Sequence, residues 1–140
     1  MRMALIEAVE AAFALGSEAK VEELIGLLHQ SQGHRVAPSV DALIHRWTAR
    51  LLEHRHDLEG AEGEFRLAID AFAGLGRPFW LAVSRLELAE LLLHGGRTEP
   101  AEELLGLARA TFAELGAPPW LDRTDRARQP EMARSSSLPA

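Results

Sequence analysis

The stretch AEGEFRLAIDAFAGLGRPFWL at residues 61–81 returns forty positions later, at residues 101–121, as AEELLGLARATFAELGAPPWL. Eleven of the twenty-one aligned positions are identical, among them Ala61/Ala101, Leu67/Leu107, Ala68/Ala108, Phe72/Phe112, Gly76/Gly116, Pro78/Pro118 and Trp80/Trp120. A fixed period of roughly 20 to 50 residues marks a stacked architecture, because each unit is too small to bury its apolar face except against its neighbours. Function in such a chain belongs to a surface and not to an enclosed catalytic pocket.

One period resolves into two helices. From Pro78 to His94 the apolar residues Trp80, Leu81, Val83, Leu86, Leu88, Ala89, Leu91 and Leu92 recur at steps of three and four, the spacing of a helix with a wide buried stripe. Gly95-Gly96 ends it, since glycine enters the left-handed C-cap conformation without steric cost. Thr98 is positioned to cap a second helix from about Glu99 to Leu115, which Gly116 stops before Pro118 opens the next unit. The preceding unit follows the same plan: Pro38, Ala42, Ala49, Leu51, Leu52 and His54 answer Pro78, Ala82, Ala89, Leu91, Leu92 and His94. Its helices are expected over Ser39 to His56 and Leu58 to Leu75.

A more degenerate first unit matches at an offset of 80, where Glu22, Glu23, Leu24, Gly26, Leu27 and Pro38 answer Glu102, Glu103, Leu104, Gly106, Leu107 and Pro118. The fold expected is all-α, with antiparallel helical hairpins stacked as a short solenoid over residues 1–128. Its units are about 1–37, 38–77 and 78–117, followed by a short polar helix from Trp120 to about Arg128. The segment 129–140, rich in Ser, Pro and Arg, is expected to be a disordered tail.

Small residues fall where paired helices would cross: Ala89, Gly96, Ala101 and Ala108, with Leu105 at the large apolar position between the last two. Upstream, Ala49, Ala61, Phe65 and Ala68 repeat the arrangement, with His56 where the glycine should stand. This spacing resembles the tetratricopeptide repeat family, with a period of 40 in place of the usual length of about 34. The run LLLHGGRTEPAEELLGLARATF (91–112) and the ending TFAELGAPPW (111–120) look like the helical repeats at the C-termini of bacterial MalT-like, LuxR-type regulators and of ATPase-linked adenylate/guanylate cyclases.

The resemblance implies that first helices line a concave groove. The second unit would present Leu43, Arg46, Arg50, Glu53 and His54, the third Val83, Leu86, Glu90, Leu93 and His94, and the first Ile6, Glu10 and Phe13. From these, Arg46, Arg50, Glu53, His54, Glu90 and His94 form the candidate partner-binding groove, and Arg46 with Arg50 suits a carboxylate or an acidic peptide. Trp47, whose equivalent forty positions on is Glu87, is expected to be a half-exposed contact residue.

The remaining chemistry is sparse. The 140 residues include no cysteine, 47% are hydrophobic and 26% are charged, which gives a real core and no thiolate site. A net charge of −6 speaks against direct nucleic-acid binding, which needs clustered cations. No apolar run reaches the ~18 residues of a membrane span, and Glu7 and Glu10 interrupt the apolar N-terminal segment, so a cytoplasmic chain is expected. There is no GxxxxGK[ST] phosphate loop. His54 and His56, two positions apart on a helix, point about 200° apart and cannot share a metal. No catalytic residue, cofactor or metal is therefore assigned.

The expected function is a non-enzymatic helical-repeat module for protein–protein contact or effector sensing, part of or derived from a bacterial signalling or transcriptional regulator. The alternative is a transcription regulator acting on DNA through a module absent from this chain. Leu5, Ile6, Val9, Ala12 and Phe13 form a helical stripe with no repeat before it, and terminal repeats need polar caps, so either self-association through the N-terminal helix or dependence on a missing upstream segment is also expected.

Overall fold

Five reversals of the chain use one backbone device. Gly16, Gly76, Gly96 and Gly116 take left-handed φ values of 71°, 64°, 76° and 65°, and His56, a non-glycine residue, takes 63°. In each case the amide of the left-handed residue and the next amide both turn back onto the helix just completed, as in Gly116 N to Ala113 O (3.2 Å) and Ala117 N to Phe112 O (3.0 Å). The repeated pattern satisfies carbonyls that a helix end otherwise leaves open, and it reverses the chain within two or three residues.

The computed structural model describes residues 2–31 and 38–128; the expected tail at 129–140 lies outside the described residues. Between the reversals run α1 (Arg2–Ala14), α2 (Glu18–Ser31), α3 (Pro38–His54), α4 (Leu58–Leu75), α5 (Pro78–His94), α6 (Thr98–Leu115) and α7 (Pro118–Arg128). No strand occurs among the described residues. The fold is an all-α helical repeat of antiparallel hairpins.

Three expected boundaries move, each for a local reason. Helix α3 stops at His54 and not His56, because residue 56 is the left-handed one. Helix α7 begins at Pro118, two residues before Trp120, since proline is preorganised for a first helical turn. Thr98 does not cap α6: Arg97 is the N-cap and makes no side-chain cap bond. Where a side-chain cap does form it comes from Asp57, whose Oδ1 accepts the Gly60 amide at 3.0 Å.

The described residues form two compact units, divided between Ala71 and Phe72. In the first, α2 packs against both α1 and α3. Val9, Ala12 and Phe13 of the expected N-terminal stripe are buried here together with Val21, Leu24, Ile25 and Leu28, while Ala42, Trp47, Ala49, Ala61, Phe65 and Ala68 fill the α3 and α4 side. In the second, α5 and α6 pair along their length, and α7 packs on both. Phe72 stacks on Trp80 at 6.3 Å and 23°, and Phe112 on Trp120 at 5.6 Å and 20°. Phe79 links the two pairs edge-on, 5.3 Å from Trp80 and 5.7 Å from Trp120. Each such contact adds about 0.5 to 1.5 kcal/mol beyond area burial.

Two measurements check this packing. Ala89 and Ala108 are fully buried while Ala113 is exposed, so Ala89→Leu or Ala108→Leu should lose about 1 to 3 kcal/mol in a denaturant titration. The same change at Ala113 should cost almost nothing. His56→Gly should raise stability by up to about 1 kcal/mol: it removes a left-handed penalty of roughly 1 to 2 kcal/mol, partly offset by the greater freedom of glycine in the unfolded chain. A lower melting temperature for that variant would contradict the strain assigned to residue 56.

Candidate functional site

Residues four apart on a helix share a face, and α3 uses this spacing to aim Arg46 and Arg50 at one carboxylate. Glu10 on α1 accepts hydrogen bonds from Arg46 Nη1 (2.9 Å) and from the indole Nε1 of Trp47 (2.9 Å) on its Oε1, and from Arg50 Nη1 (3.1 Å) on its Oε2. The guanidinium carbon of Arg50 also stands 4.0 Å from the centre of the Phe13 ring, a cation–π contact. His54 lies beside the other end of the cluster, its ring 6.3 Å from that of Phe13.

Electrostatics follow from this geometry. Burial alone would raise the Glu10 carboxyl, but the charge of Arg46, the hydrogen bonds from Trp47 and Arg46, and the charge of Arg50 together carry it from 4.5 down to about 2. Arg46 is only 3% exposed, and a buried guanidinium without a partner would be costly. Glu10 supplies that partner.

The expected groove cations thus already hold a carboxylate, one that belongs to the chain itself. Trp47 corrects its expectation outright: it is 0% exposed, because its ring fills the first unit's core while its one polar atom reaches Glu10. Leu43, Val83 and Leu86, expected along the groove, are buried as well. Glu53 is half-buried and His54 exposed. In the second unit, Glu90 is gripped by Arg123 of α7 through Nε at 3.1 Å and Nη2 at 2.6 Å, and Arg123 lies 5.5 Å over the Trp120 ring. His94 is exposed in the last turn of α5.

Several interactions escaped the sequence reading. His45 sits between two carboxylates, its Nδ1 2.6 Å from Glu64 and its Nε2 3.5 Å from Asp41; since these address different ring nitrogens, the trio cannot converge on one ion. Arg55 reaches back to α2, meeting Glu18 at 3.3 Å and Glu22 at 3.1 Å. The hydrogen bonds and charge of Arg55 hold the exposed Glu22 carboxyl below its ordinary value. One signal was available in the sequence: Glu10, Arg50 and Glu90 stand forty apart with alternating sign. Among the described residues no group of three or more His, Asp or Glu is placed to hold a metal, and none of the helices is long and apolar enough to cross a membrane. The small cavity beside Phe13, Val21 and His54, about 10 Å³, has room for roughly one water.

No protein-family model matches the sequence, and no curated protein matches it. Among solved structures the chain is similar to the crystal structure of BtubC (BKLC) from P. vanneervenii, with a TM-score of 0.63 and 22% sequence identity. The match covers 77% of this chain and 44% of that one, so the chain spans less than half the length of that neighbour. At this identity the likeness concerns the fold.

The Glu10 cluster makes acid stability testable. Because its folded value lies below 4.5, the carboxylate stabilises the fold fully above that pH, and the stabilisation is lost as pH falls through about 2. The shift corresponds to at most about 3 kcal/mol, and screening of a side chain that is 39% exposed brings this to roughly 1 to 2 kcal/mol. Glu10→Gln should cost that much at neutral pH and flatten the stability profile between pH 4.5 and 2. An unchanged profile would show that Glu10 does not anchor α1 to α3.

Proposed function

We propose that the chain is a tetratricopeptide-like interaction module: a non-enzymatic stack of helical hairpins that binds a protein partner, belonging to or derived from a bacterial signalling or transcriptional regulator and working in the cytoplasm. The observation that carries this reading is the equivalence of positions forty apart. Ala49 and Ala89, Ala61 and Ala101, and Ala68 and Ala108 are all fully buried, the placement of small residues that the tetratricopeptide resemblance calls for. At another repeat position Leu27, Leu67 and Leu107 are 43%, 49% and 45% exposed.

A repeat maintained on both its buried and its outward faces suits recognition along a helix surface. The likeness in fold to BtubC, of which the match covers 44%, is in keeping with a module of a longer chain. A soluble helical-repeat module recognises its partner through side chains on helix faces, with apolar anchors at the centre of the contact and charges at the rim.

The test is cross-linking of the full chain in the cells that express it, followed by mass spectrometry. A reproducible protein partner, with links confined to contiguous helix faces, is the expected result. Absence of any partner, together with turnover of a small substrate by the purified chain, would overturn the proposal.

A further inference from the structure

Positions 99, 103, 107, 110 and 114 of α6 follow one another at steps of four, four, three and four, which places them on one helix face. All five residues, Glu99, Glu103, Leu107, Ala110 and Glu114, are exposed. None of the three glutamates has an ion pair or hydrogen bond among the described residues. The flank of the same helix is different: Glu102 pairs with Arg128 at 3.4 Å and Arg109 with Asp125 at 2.9 Å, so α6 is neutralised where α7 packs on it and left acidic where it faces outward.

Glu114 is the informative member. It lies in the last turn of α6, where no basic residue stands. A carboxylate there opposes the negative end of the helix dipole and weakens its own helix. A residue that works against local stability, beside an exposed leucine, is a feature that folding does not explain. The first unit carries a related face on α4, where Glu59, Leu67 and Asp70 are exposed and the two acids are likewise unpaired.

We infer that the outward face of α6, centred on Leu107 and Ala110 and bounded by Glu99, Glu103 and Glu114, docks a basic amphipathic segment of a partner protein. The inference rests on the proposed role as an interaction module and names the surface and the chemistry of its partner. Apolar side chains of the segment cover Leu107 and Ala110, and Lys or Arg on its borders meet the free carboxylates. An acidic segment, or nucleic acid, would be repelled.

The experiment uses the full chain, isotope-labelled, with two probes: a short synthetic amphipathic helix bearing leucines along one face and lysines on its borders, and its counterpart with glutamate in place of lysine. The lysine peptide should shift α6 amides and the glutamate peptide should not. Glu103→Lys with Glu114→Lys should weaken lysine-peptide binding at least about tenfold, while Glu114→Lys alone leaves the melting temperature unchanged or raised. Asp122→Lys on α7, which makes the charge change of one of these two substitutions on another face, should leave binding near wild type. Retained binding in the double variant, equal loss in Asp122→Lys, or no α6 shift with the lysine peptide would each overturn the assignment. Shifts with the glutamate peptide on another face would overturn it too, while leaving the interaction role itself standing.

Discussion

A helix can reverse within two or three residues only if one of them takes the left-handed backbone conformation, and this chain meets that requirement at residues 16, 56, 76, 96 and 116. Everything else in the architecture depends on these points. They set where each of these helices ends, and from residue 56 onward they recur every twenty residues. Four of the five positions are glycine. At the fifth His56 accepts the conformation, with the same pair of backward amide hydrogen bonds as the glycines, His56 N to Glu53 O at 3.0 Å and Asp57 N to Leu52 O at 2.9 Å.

Within that frame, small residues at helix crossings allow close packing, and large aromatics fill the space beside them. Ala49, Ala61 and Ala68 in the first unit and Ala89, Ala101 and Ala108 in the second are fully buried, so a methyl group is all the crossing admits. The stacked pairs Phe72–Trp80 and Phe112–Trp120 tie the end of a second helix to the start of the following first helix. The polar interactions have another role. Arg46 is buried by the same packing that buries Leu43 and Trp47, and its charge is tolerated because Glu10 faces it across the helix pair. The salt bridge thereby fixes which face of α1 meets α3, a matter of register more than of net stability.

The charges divide between these tasks. Arginines at helix contacts are satisfied by internal carboxylates: Arg46 and Arg50 by Glu10, Arg55 by Glu18 and Glu22, Arg123 by Glu90. Glu99, Glu103 and Glu114 on the outward face of α6 have no such partner among the described residues. The net charge of −6 is thus not spread evenly: on α6 the exposed Leu107 shares a face with carboxylates that have no ion pair among the described residues. Arg46 and Arg50, which the tetratricopeptide resemblance would offer to an acidic partner, hold Glu10 of the same chain.

The all-α class, the forty-residue period, the ends of α4 and α5 and the crossing alanines were determined by the sequence by itself, because helix periodicity, proline and glycine act over a few residues and leave a local trace. The fates of Arg46, Arg50 and Trp47 were decided only by the tertiary structure. Their spacing on α3 is the same whether they face solvent or a neighbouring helix, and the deciding partner, Glu10, lies 36 to 40 residues away in the chain. Helical periodicity says which residues share a face. Which face is covered, and by which opposing charge, is settled only when a second helix is laid against the first.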